Sequence, residues 1–363
     1  MFTGMASAAT DPVFEQHRRV GPLTLSADVS QDEWDAYVNG HSEASAYHLW
    51  AWRRVFESVF GHRTEYIAAR WPSGKVAGLL PLVAFDHWMC GRFMVSLPFV
   101  TRGGVLADND EAARALVREA TERAKWYGCS HVELRHRTPQ FADLASSRQA
   151  VAMTLTLPAN AGELWRNLDR SLRDEVITAE QLGLACESGG AELLPDFYDV
   201  FAGAVRDRGV PTCPQRWFGE IINRFPERTR VSVVRHGEQA VAGAVTMAFG
   251  SSLEILSTAW RRSYRSVCPH SLLHWQIVRQ GIDDGARELE LGQSRAGDGP
   301  FAYRALWGAK PHSTVSEYVR LSGRGLLRDR PKDNWTNGAT AVWRHMPLTL
   351  ANAIGPALAR YQP

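Results

Sequence analysis

The feature that most constrains this chain is an internal repeat at a spacing of 165 residues. The segment FGHRT (60–64) is echoed by FPERT (225–229), an offset of 225 − 60 = 165 positions. Further pairs at this offset are Trp52 with Trp217, Arg70 with Arg235, and 76–78 with 241–243. Farther along, HVEL (131–134) corresponds to ELEL (288–291) at an offset of 157. A register held over so many positions predicts two similar structural units.

Each copy shows the same order of hydrophobic patterns. In the first copy, residues 47–60 carry apolar side chains at helical spacing and stop at Gly61, and 66–70 and 76–85 read as strand, turn and strand. A helix follows over 110–127, and then a strand over 131–137. Alternating helices and strands predict a mixed α/β fold made of two tandem units. The predicted divisions are a tail (1–21), a first unit (22–160), a second unit (161–322), and a basic linker with an amphipathic C-terminal segment (323–363).

Composition and charge exclude several classes. The 363 residues have a formal net charge of +2, so no bulk field attracts nucleic acid or anionic membrane. The five cysteines are dispersed without a CxxC motif, which indicates reduced thiols and argues against a disulfide framework or a zinc site. Neither a signal peptide nor a run of about 18 apolar residues is present. We therefore expect a cytoplasmic protein without a metal or a bound cofactor.

Common catalytic motifs are also missing. There is no GxxxxGK[ST], no HExxH, no GxSxG, and no GxGxxG after a strand. What remains is a site built from loops and arginines, without an evident nucleophile. Such a site suits direct transfer between two bound substrates, where positioning and charge stabilisation supply most of the catalysis.

The stretch ELELGQSRAGDGPFAYRALWG (288–308) is the most suggestive single segment. Alternation predicts a strand that ends at Gly292, followed by a glycine-bearing loop and a short helix over 301–307. A loop at a strand end commonly holds a ligand. The alternative is a surface loop anchored by a buried Trp307, and the pattern does not decide between them.

Two other segments leave alternatives open. Arg166, Arg170 and Arg173 share one face of a predicted helical stretch over 164–184, which indicates either phosphate contact or a solvated face. The C-terminal segment 341–363 is rich in apolar residues and could pack on the body, dimerise or lie on a membrane surface. The oligomeric state is open as well.

An ordered set of motifs carries a family resemblance. They are YHLWAW (47–52), FGHRTEY (60–66), LPFVTRGGVLAD (97–108), VELRHR (132–137), LELGQS (289–294), YRALWG (303–308) and WRHMPLTLANAIGPALAR (343–360). The chain resembles the FemAB-like branch of the GNAT acyltransferase superfamily, and most of all the FemAB-like proteins associated with exosortase/PEP-CTERM exopolysaccharide loci. This resemblance implies tandem duplicated GNAT-like domains and transfer of an activated acyl or aminoacyl group to an acceptor amine in cell-envelope, exopolysaccharide or small-metabolite biosynthesis.

The resemblance also implies site residues. In Fem ligases a basic residue after an aromatic lies near the donor; here that residue is Arg304, the first catalytic candidate. The other donor-side residues it implies are Gly292, Gln293, Ser294, Arg295, Phe301, Tyr303 and Trp307. On the acceptor side it implies His48, Trp52 and Arg102, with Asp108 as second catalytic candidate. Asp108 either takes a proton from the attacking amine or only caps a helix.

The sequence does not decide which carrier brings the acyl group. Arg304 stands where the family has lysine, and the stretch 168–178 lacks the family's strongly basic run, which weakens binding of aminoacyl-tRNA. Acyl-CoA or acyl-carrier protein is the other donor class. Single-domain GNAT enzymes bind the CoA pyrophosphate with a turn that contains an arginine or glutamine and glycines. The corresponding stretch of this chain has Arg265 but no glycine. A third hypothesis is a degenerate, inactive transferase that binds a polysaccharide-assembly protein through its C-terminal segment.

Overall fold

Two mixed β-sheets with helices packed around them make up the chain. The computed structural model describes residues 17–87, 91–100, 102–148, 151–295, 297–322 and 334–361. The fold is mixed α/β, as the sequence predicts. The predicted basic linker, 323–333, lies outside the described residues.

The first sheet has nine strands, and its neighbours run in the order β1-β2-β3-β4-β5-β7-β16-β8, with β6 also paired to β4. Its strands are β1 (His17–Val20), β2 (Leu23–Ser26), β3 (Arg63–Arg70), β4 (Val76–His87), β5 (Gly91–Val95), β6 (Leu106–Ala107), β7 (His131–His136), β8 (Ala145–Ser147) and β16 (Val315–Arg320). Only β5 and β7 pair in parallel. The predicted tail therefore includes a strand, β1, at its end.

The second sheet has seven strands in the order β10-β11-β12-β13-β14-β9-β15. They are β9 (Val151–Thr156), β10 (Leu184–Gly189), β11 (Thr229–His236), β12 (Gln239–Phe249), β13 (Ser252–Trp260), β14 (Glu288–Ser294) and β15 (Lys310–Ser313). Here β13 and β14 are the parallel pair. Each sheet thus contains one parallel strand pair beside a series of antiparallel strands. The internal repeat of the sequence therefore has a counterpart in the structure.

Eleven α-helices lie among the described residues. They are α1 (Gln31–Gly40), α2 (Trp52–Phe60), α3 (Asp110–Trp126), α4 (Ala161–Asn167), α5 (Arg170–Gln181), α6 (Leu194–Asp207), α7 (Gln215–Arg224), α8 (Pro269–Asp283), α9 (Gly299–Leu306), α10 (Asn334–Arg344) and α11 (Leu348–Ala359). The predicted repeat is confirmed, because α2, β3, β4, α3 and β7 recur as α7, β11, β12, α8 and β14.

Two strands cross over between the units. β9 lies before the predicted boundary at residue 160 but joins the second sheet, between β14 and β15. β16 lies before the boundary at 322 and joins the first sheet, between β7 and β8. Each unit therefore completes its sheet with a strand that the predicted boundaries assign to the other. The division of the chain at those boundaries stays a prediction.

An aromatic core joins the two units. Trp52 and its repeat partner Trp217 pack against each other with ring centroids 5.9 Å apart. Trp52 also contacts Phe225 at 5.3 Å, and Phe60 contacts Trp217 at 5.4 Å, so the contacts are reciprocal as across a twofold axis. Trp52 is buried in this core and does not line the cavities described below, so its role in acceptor binding stays a prediction.

Local predictions differ from the structure at two places. β14 does not end at Gly292; this glycine adopts φ 86° in a bulge, and the strand continues to Ser294 against β9. The predicted helical stretch over 164–184 is two helices, α4 and α5, broken at Leu168, so Arg166 does not share a helix face with Arg170 and Arg173. At Leu168 an extended residue interrupts a helical pattern that periodicity continues, whereas at Gly292 a left-handed residue is accommodated in a strand that the pattern ends.

Candidate functional site

The parallel strands of the second sheet separate at two buried glutamates. β13 and β14 pair at only three positions, and Glu254 opposite Glu290 is the last. Beyond them β13 continues along β12 to Trp260, while β14 turns to β9 through Gln293 and Ser294. Both carboxylates are nearly inaccessible to solvent. A gap between strands with two carboxylates at its apex is a place where a substrate can reach buried acid–base groups.

Glu254 has an environment that tunes its proton affinity. Its carboxylate accepts a hydrogen bond from the Tyr47 hydroxyl and lies 3.7 Å from Nη2 of Arg102. Burial, reinforced by the neighbouring charge of Glu290 and opposed by Arg102, raises the pKa of Glu254 to about 7. This carboxyl group can therefore both hold and release a proton near neutral pH.

The first unit supplies the groups that face Glu254. Tyr47 is fully buried, and burial together with Glu254 raises the pKa of its hydroxyl, so it stays a hydrogen-bond donor. Burial alone would lower the pKa of Arg102, but Glu254, Glu290 and Glu288 raise it, so the guanidinium stays charged. The site is thus shared between units and exists only in the folded pair.

The Arg-Gly-Gly motif owes its form to close packing. Gly103 has φ 144°, and a Cβ on Gly104 would lie 2.3 Å from the His136 ring. His136 Nε2 accepts the backbone N–H of Val105 at 3.0 Å, while Nδ1 lies 2.7 Å from Glu317 Oε2. Two of the predicted motifs, 97–108 and 132–137, are therefore one structure that sets the position of Arg102.

A cavity of about 220 Å³ opens next to these residues, between the two units. Its wall includes His48, Arg102, His136, Glu254 and Glu288. His48 accepts the N–H of Ser45 at Nδ1, at 3.1 Å, and burial followed by the nearby Arg102 lowers the pKa of its imidazole to about 3. His48 is therefore neutral at physiological pH. The structure brings the predicted acceptor residues His48 and Arg102 together in this cavity.

The equivalent gap in the first unit is closed. Glu133 stands at the repeat position of Glu290, but Arg135 Nε and Ser316 Oγ donate to its Oε1 at 3.0 and 2.9 Å. Ser96 bridges the two strands, donating its N–H to the Glu133 carbonyl and accepting the N–H of Arg135, both at 2.8 Å. Of the two gaps, only that of the second unit is free of such a bridge among the described residues.

Arg304 lies near Glu290 and Gly292. It belongs to α9, which Asp298 caps by accepting the Phe301 N–H at 2.8 Å. Burial lowers the pKa of Arg304, although the charges of Asp298 and Glu290 oppose this effect. Its Nη1, and likewise Oε1 of Glu290, has no hydrogen-bond partner within the described part of the chain. Glu290 Oε2 accepts from Thr154 at 3.2 Å and lies 3.3 Å from His312 Nε2.

The remaining donor-side predictions fall into three groups. Gly292 and Ser294 border Arg304 on β14; a Cβ on Gly292 would lie 3.6 Å from the Arg304 guanidinium, and the Ser294 hydroxyl is buried without a partner among the described residues. Gln293 and Arg295 are exposed, as is Arg265 on the loop before α8. Phe301, Tyr303 and Trp307 pack in the core of the second unit. Trp307 is 1% exposed, which agrees with the alternative that a buried Trp307 anchors this loop.

Tyr303 links α9 to the start of α8. Its hydroxyl lies 3.2 Å from Ser271 Oγ, and its ring stacks on His270 at 4.7 Å. Burial raises the pKa of Tyr303 and lowers those of His270 and His274. Ser271 also donates to Glu175 of α5. This N-terminus of α8 therefore has a carboxylate beside it, and its first residue, Pro269, has no N–H.

Asp108 does not share the cavity of Arg102 and Glu254. It is exposed at a neighbouring cavity of about 400 Å³, where it accepts a hydrogen bond from Tyr37 at 2.8 Å. The cap of α3 is Asn109, whose side chain accepts the Ala112 N–H, so the capping role considered for Asp108 is wrong. Asp108 does not line the cavity of Arg102, and its role as a base stays a prediction.

The sequence reading missed Tyr47, Glu254 and Glu290 as site residues. Glu254 had one signal, an isolated acid between Leu253 and Ile255 in an apolar strand. Tyr47 gave none, because its partner lies in the other unit. Within the described residues no group of three or more His, Cys, Asp or Glu side chains is placed to hold a metal, and no helix is long and apolar enough to cross a bilayer.

Comparisons with known proteins agree with this fold. Residues 166–304 match the family model described as "Acetyltransferase (GNAT) domain". FemX is 17% identical over 79% of this chain and 96% of its own, with a TM-score of 0.63. The C-terminal domain of a protein named as a lysylphosphatidylglycerol synthetase from Agrobacterium fabrum is 13% identical over 89% of this chain and 95% of its own (TM-score 0.52).

A third similar structure is L-PGS from Bacillus licheniformis, 9% identical over 87% of this chain and 98% of its own, with a TM-score of 0.54. No curated protein sequence matches. At these identities the structures show the fold alone, and the family model covers the open second unit. The fold is therefore a tandem of GNAT-like units, and the chain carries a GNAT acyltransferase domain.

Proposed function

We propose that this chain is an N-acyltransferase that moves an activated acyl or aminoacyl group to the amine of an acceptor held between the two units. The observation that carries the proposal is Glu254, a buried carboxyl group with a pKa of about 7 at the apex of the strand gap and in the wall of the cavity. A GNAT acyltransferase domain needs such a group, because an ammonium ion must lose a proton before it can attack.

The reaction follows from that geometry. The Glu254 carboxylate takes a proton from the acceptor's ammonium group, and the free amine attacks the acyl carbon. The new C–N bond forms as the C–O or C–S bond to the carrier breaks, and the carrier leaves with the proton that the nitrogen loses. Tyr47 and Arg102 hold Glu254 in place and stabilise its charged form.

Arg304 serves the donor. Its guanidinium lies close enough to Glu290 for the two charges to interact, and its Nη1 has no partner among the described residues. A planar guanidinium binds phosphate or carbonyl oxygen well but cannot act as a base near neutral pH. We therefore assign the proton transfer to Glu254 in place of Asp108, and donor binding to Arg304.

The donor class we favour is aminoacyl, as on aminoacyl-tRNA. The N-terminus of α8, where single-domain GNAT enzymes bind the CoA pyrophosphate, has Glu175 beside it and Pro269 in its first turn. A carboxylate there repels a pyrophosphate. The similar structures include a protein named for joining a lysyl group to phosphatidylglycerol. The setting we propose is cell-envelope, exopolysaccharide or small-metabolite synthesis in the cytoplasm.

The second candidate donor is acyl-CoA or acyl-carrier protein. It is favoured by the match of 166–304 to a model described as an acetyltransferase domain, whose enzymes use acyl-CoA without a metal. Activity in a cell extract, measured before and after RNase treatment, separates the candidates. Loss of transfer after RNase supports aminoacyl-tRNA, and transfer that persists assigns the donor to CoA or a carrier protein.

The proposal predicts a pH dependence for the transfer. Because Glu254 must be a carboxylate, kcat/KM should rise with pH through about 7 and level off above it. Glu254→Gln should lower kcat/KM by about 10²–10³-fold and remove this rise. The matched control is Glu238→Gln, an exposed residue of the β11–β12 turn, which should keep both rate and profile. A Glu254→Gln enzyme with the wild-type rate and profile would refute the role.

A further inference from the structure

The C-terminal helix α11 has an unusual distribution of residue sizes. Small residues face the body of the protein: Ala351, Gly355 and Ala359 are buried. Gly355 packs so closely on the backbone of Thr212 that a Cβ there would lie 2.9 Å from the Thr212 nitrogen. The large aliphatic residues instead point to solvent. An ordinary surface helix has the reverse arrangement, with large apolar residues inside and polar residues outside.

Three of these outward residues form what we call the aliphatic ridge: Leu350, Ile354 and Leu358, exposed by 47%, 39% and 45%. Their spacing of four residues places them in one row along the helix, about 12 Å long. The helix, LTLANAIGPALA, has no charged residue. Folding leaves 39–47% of each of these side chains exposed, an unusual amount of aliphatic surface for one helix face.

The charged side chains of the C-terminal segment itself, residues 334–361, are all basic. Residues 334–361 contain no Asp or Glu, while Arg344 lies before α11 and Arg360 follows it. Gly209 lies against Thr340 and Arg344, which brings Arg208 to the same region. Burial, followed by the nearby charge of Arg262, lowers the pKa of Arg208. Val342 and Val210, 67% and 43% exposed, add apolar surface on the neighbouring segments.

We propose that the aliphatic ridge docks on the surface of an anionic lipid bilayer. Leu350, Ile354 and Leu358 would enter the boundary between headgroups and acyl chains, and the guanidinium groups of Arg344 and Arg360 would bind the phosphates. An uncharged apolar row between basic residues fits that interface. A stable protein–protein contact usually buries about 800 Å² on each partner, which three partly exposed side chains do not provide.

The anchoring of α11 keeps the ridge in place. The helix packs against α6, and His62 Nε2 donates to the Arg360 carbonyl at 2.9 Å. The ridge is thus fixed to the body and not on a loose tail. A bilayer contact here would set the orientation of the whole molecule relative to the membrane surface.

Vesicle flotation of the full-length protein tests the proposal. We expect the protein to float with vesicles of phosphatidylcholine containing phosphatidylglycerol, and much less with phosphatidylcholine alone. The triple substitution L350N/I354N/L358N should reduce the vesicle-bound fraction by about tenfold or more. Arg344→Gln should reduce binding to the anionic vesicles by about fivefold, because one arginine near such a surface contributes roughly 1 kcal/mol.

The matched control is I177N/L182N, which changes two aliphatic residues of similar exposure, 40% and 48%, on and just after α5. This control should float like the wild type. The triple variant should keep its thermal unfolding and its acyl transfer in solution, so a failure of docking is distinguishable from a failure of the proposed enzyme. Three results would overturn the proposal: no flotation of the wild type, equal losses in both variants, or a wild-type dimer that the triple substitution makes monomeric.

Discussion

At the scale of single residues, the absence of a side chain at Gly104 allows the loop that carries Arg102 to pack directly against β7. A Cβ would lie 2.3 Å from the His136 ring and 2.7 Å from the Arg135 carbonyl oxygen. We predict that Gly104→Ala lowers the free energy of unfolding by about 1–3 kcal/mol, because the loop must move away from β7. Urea denaturation measures this change.

The control for this substitution is Gly203→Ala in the middle of α6, where nothing lies within 4 Å of the added Cβ. It should stabilise the protein by about 0.5–1 kcal/mol, because alanine favours a helix more than glycine does. If both glycines responded alike, the close approach of Gly104 to His136 would have no energetic significance.

Some site residues were predictable at this scale and others were not. Arg102, His48 and Arg304 belong to recognisable motifs. Arg102 and His48 line one cavity and Nη1 of Arg304 has no partner among the described residues, while the role of each stays a prediction. Glu254 belongs to no motif, and Tyr47 lies in the motif 47–52 without being marked as a site residue, because their chemistry arises only when the two units meet. Trp52 packs against Trp217 of the other unit, a contact that its motif does not predict, and its role in acceptor binding stays a prediction.

At the scale of elements, the adjacent residues Asp108 and Asn109 at the start of α3 have different hydrogen-bond partners. Asn109 accepts the Ala112 N–H at 3.0 Å, while Asp108 accepts the Tyr37 hydroxyl. We predict that Asn109→Ala lowers the free energy of unfolding by about 1 kcal/mol through loss of the cap. Asp108→Ala should cost less, because that side chain is exposed and caps nothing. Thermal unfolding of the two variants checks the order, and the reverse order would contradict this assignment.

Helices and hairpins were the best-predicted elements. α2 ends at Gly61, whose φ of 66° fits the predicted stop, and the hairpin of β3 and β4 lies where alternation placed it. The bulge of β14 at Gly292 was missed, because a glycine in a strand pattern fits a stop as well as a bulge. The exchange of β9 and β16 was missed because local periodicity says nothing about which sheet a strand joins.

At the scale of the whole molecule, the contact between Trp52 and Trp217 makes the two units one cooperative structure. Trp217 also touches Phe56, Phe60 and Phe99 of the first unit. We predict that Trp217→Ala lowers the free energy of unfolding by about 3–5 kcal/mol and weakens transfer activity, because the cavity between the units depends on this core. Urea denaturation with a transfer assay measures both effects.

The control at this scale is Trp126→Ala, since that side chain is 42% exposed at the end of α3. It should change the free energy of unfolding by only about 0.5 kcal/mol. Two separate unfolding transitions in the wild type, with Trp217→Ala affecting one of them, would contradict the cooperative description.

The exchanged strand β16 also has a consequence for how the protein is made. During translation, the edge of β7 stays unpaired until residues 315–320 have left the ribosome, after nearly all of the second unit has been synthesised. The nascent first half therefore exposes a strand edge for most of its synthesis, the kind of surface on which chaperones act and aggregates begin. A message truncated before codon 315 would encode a product with that edge permanently open.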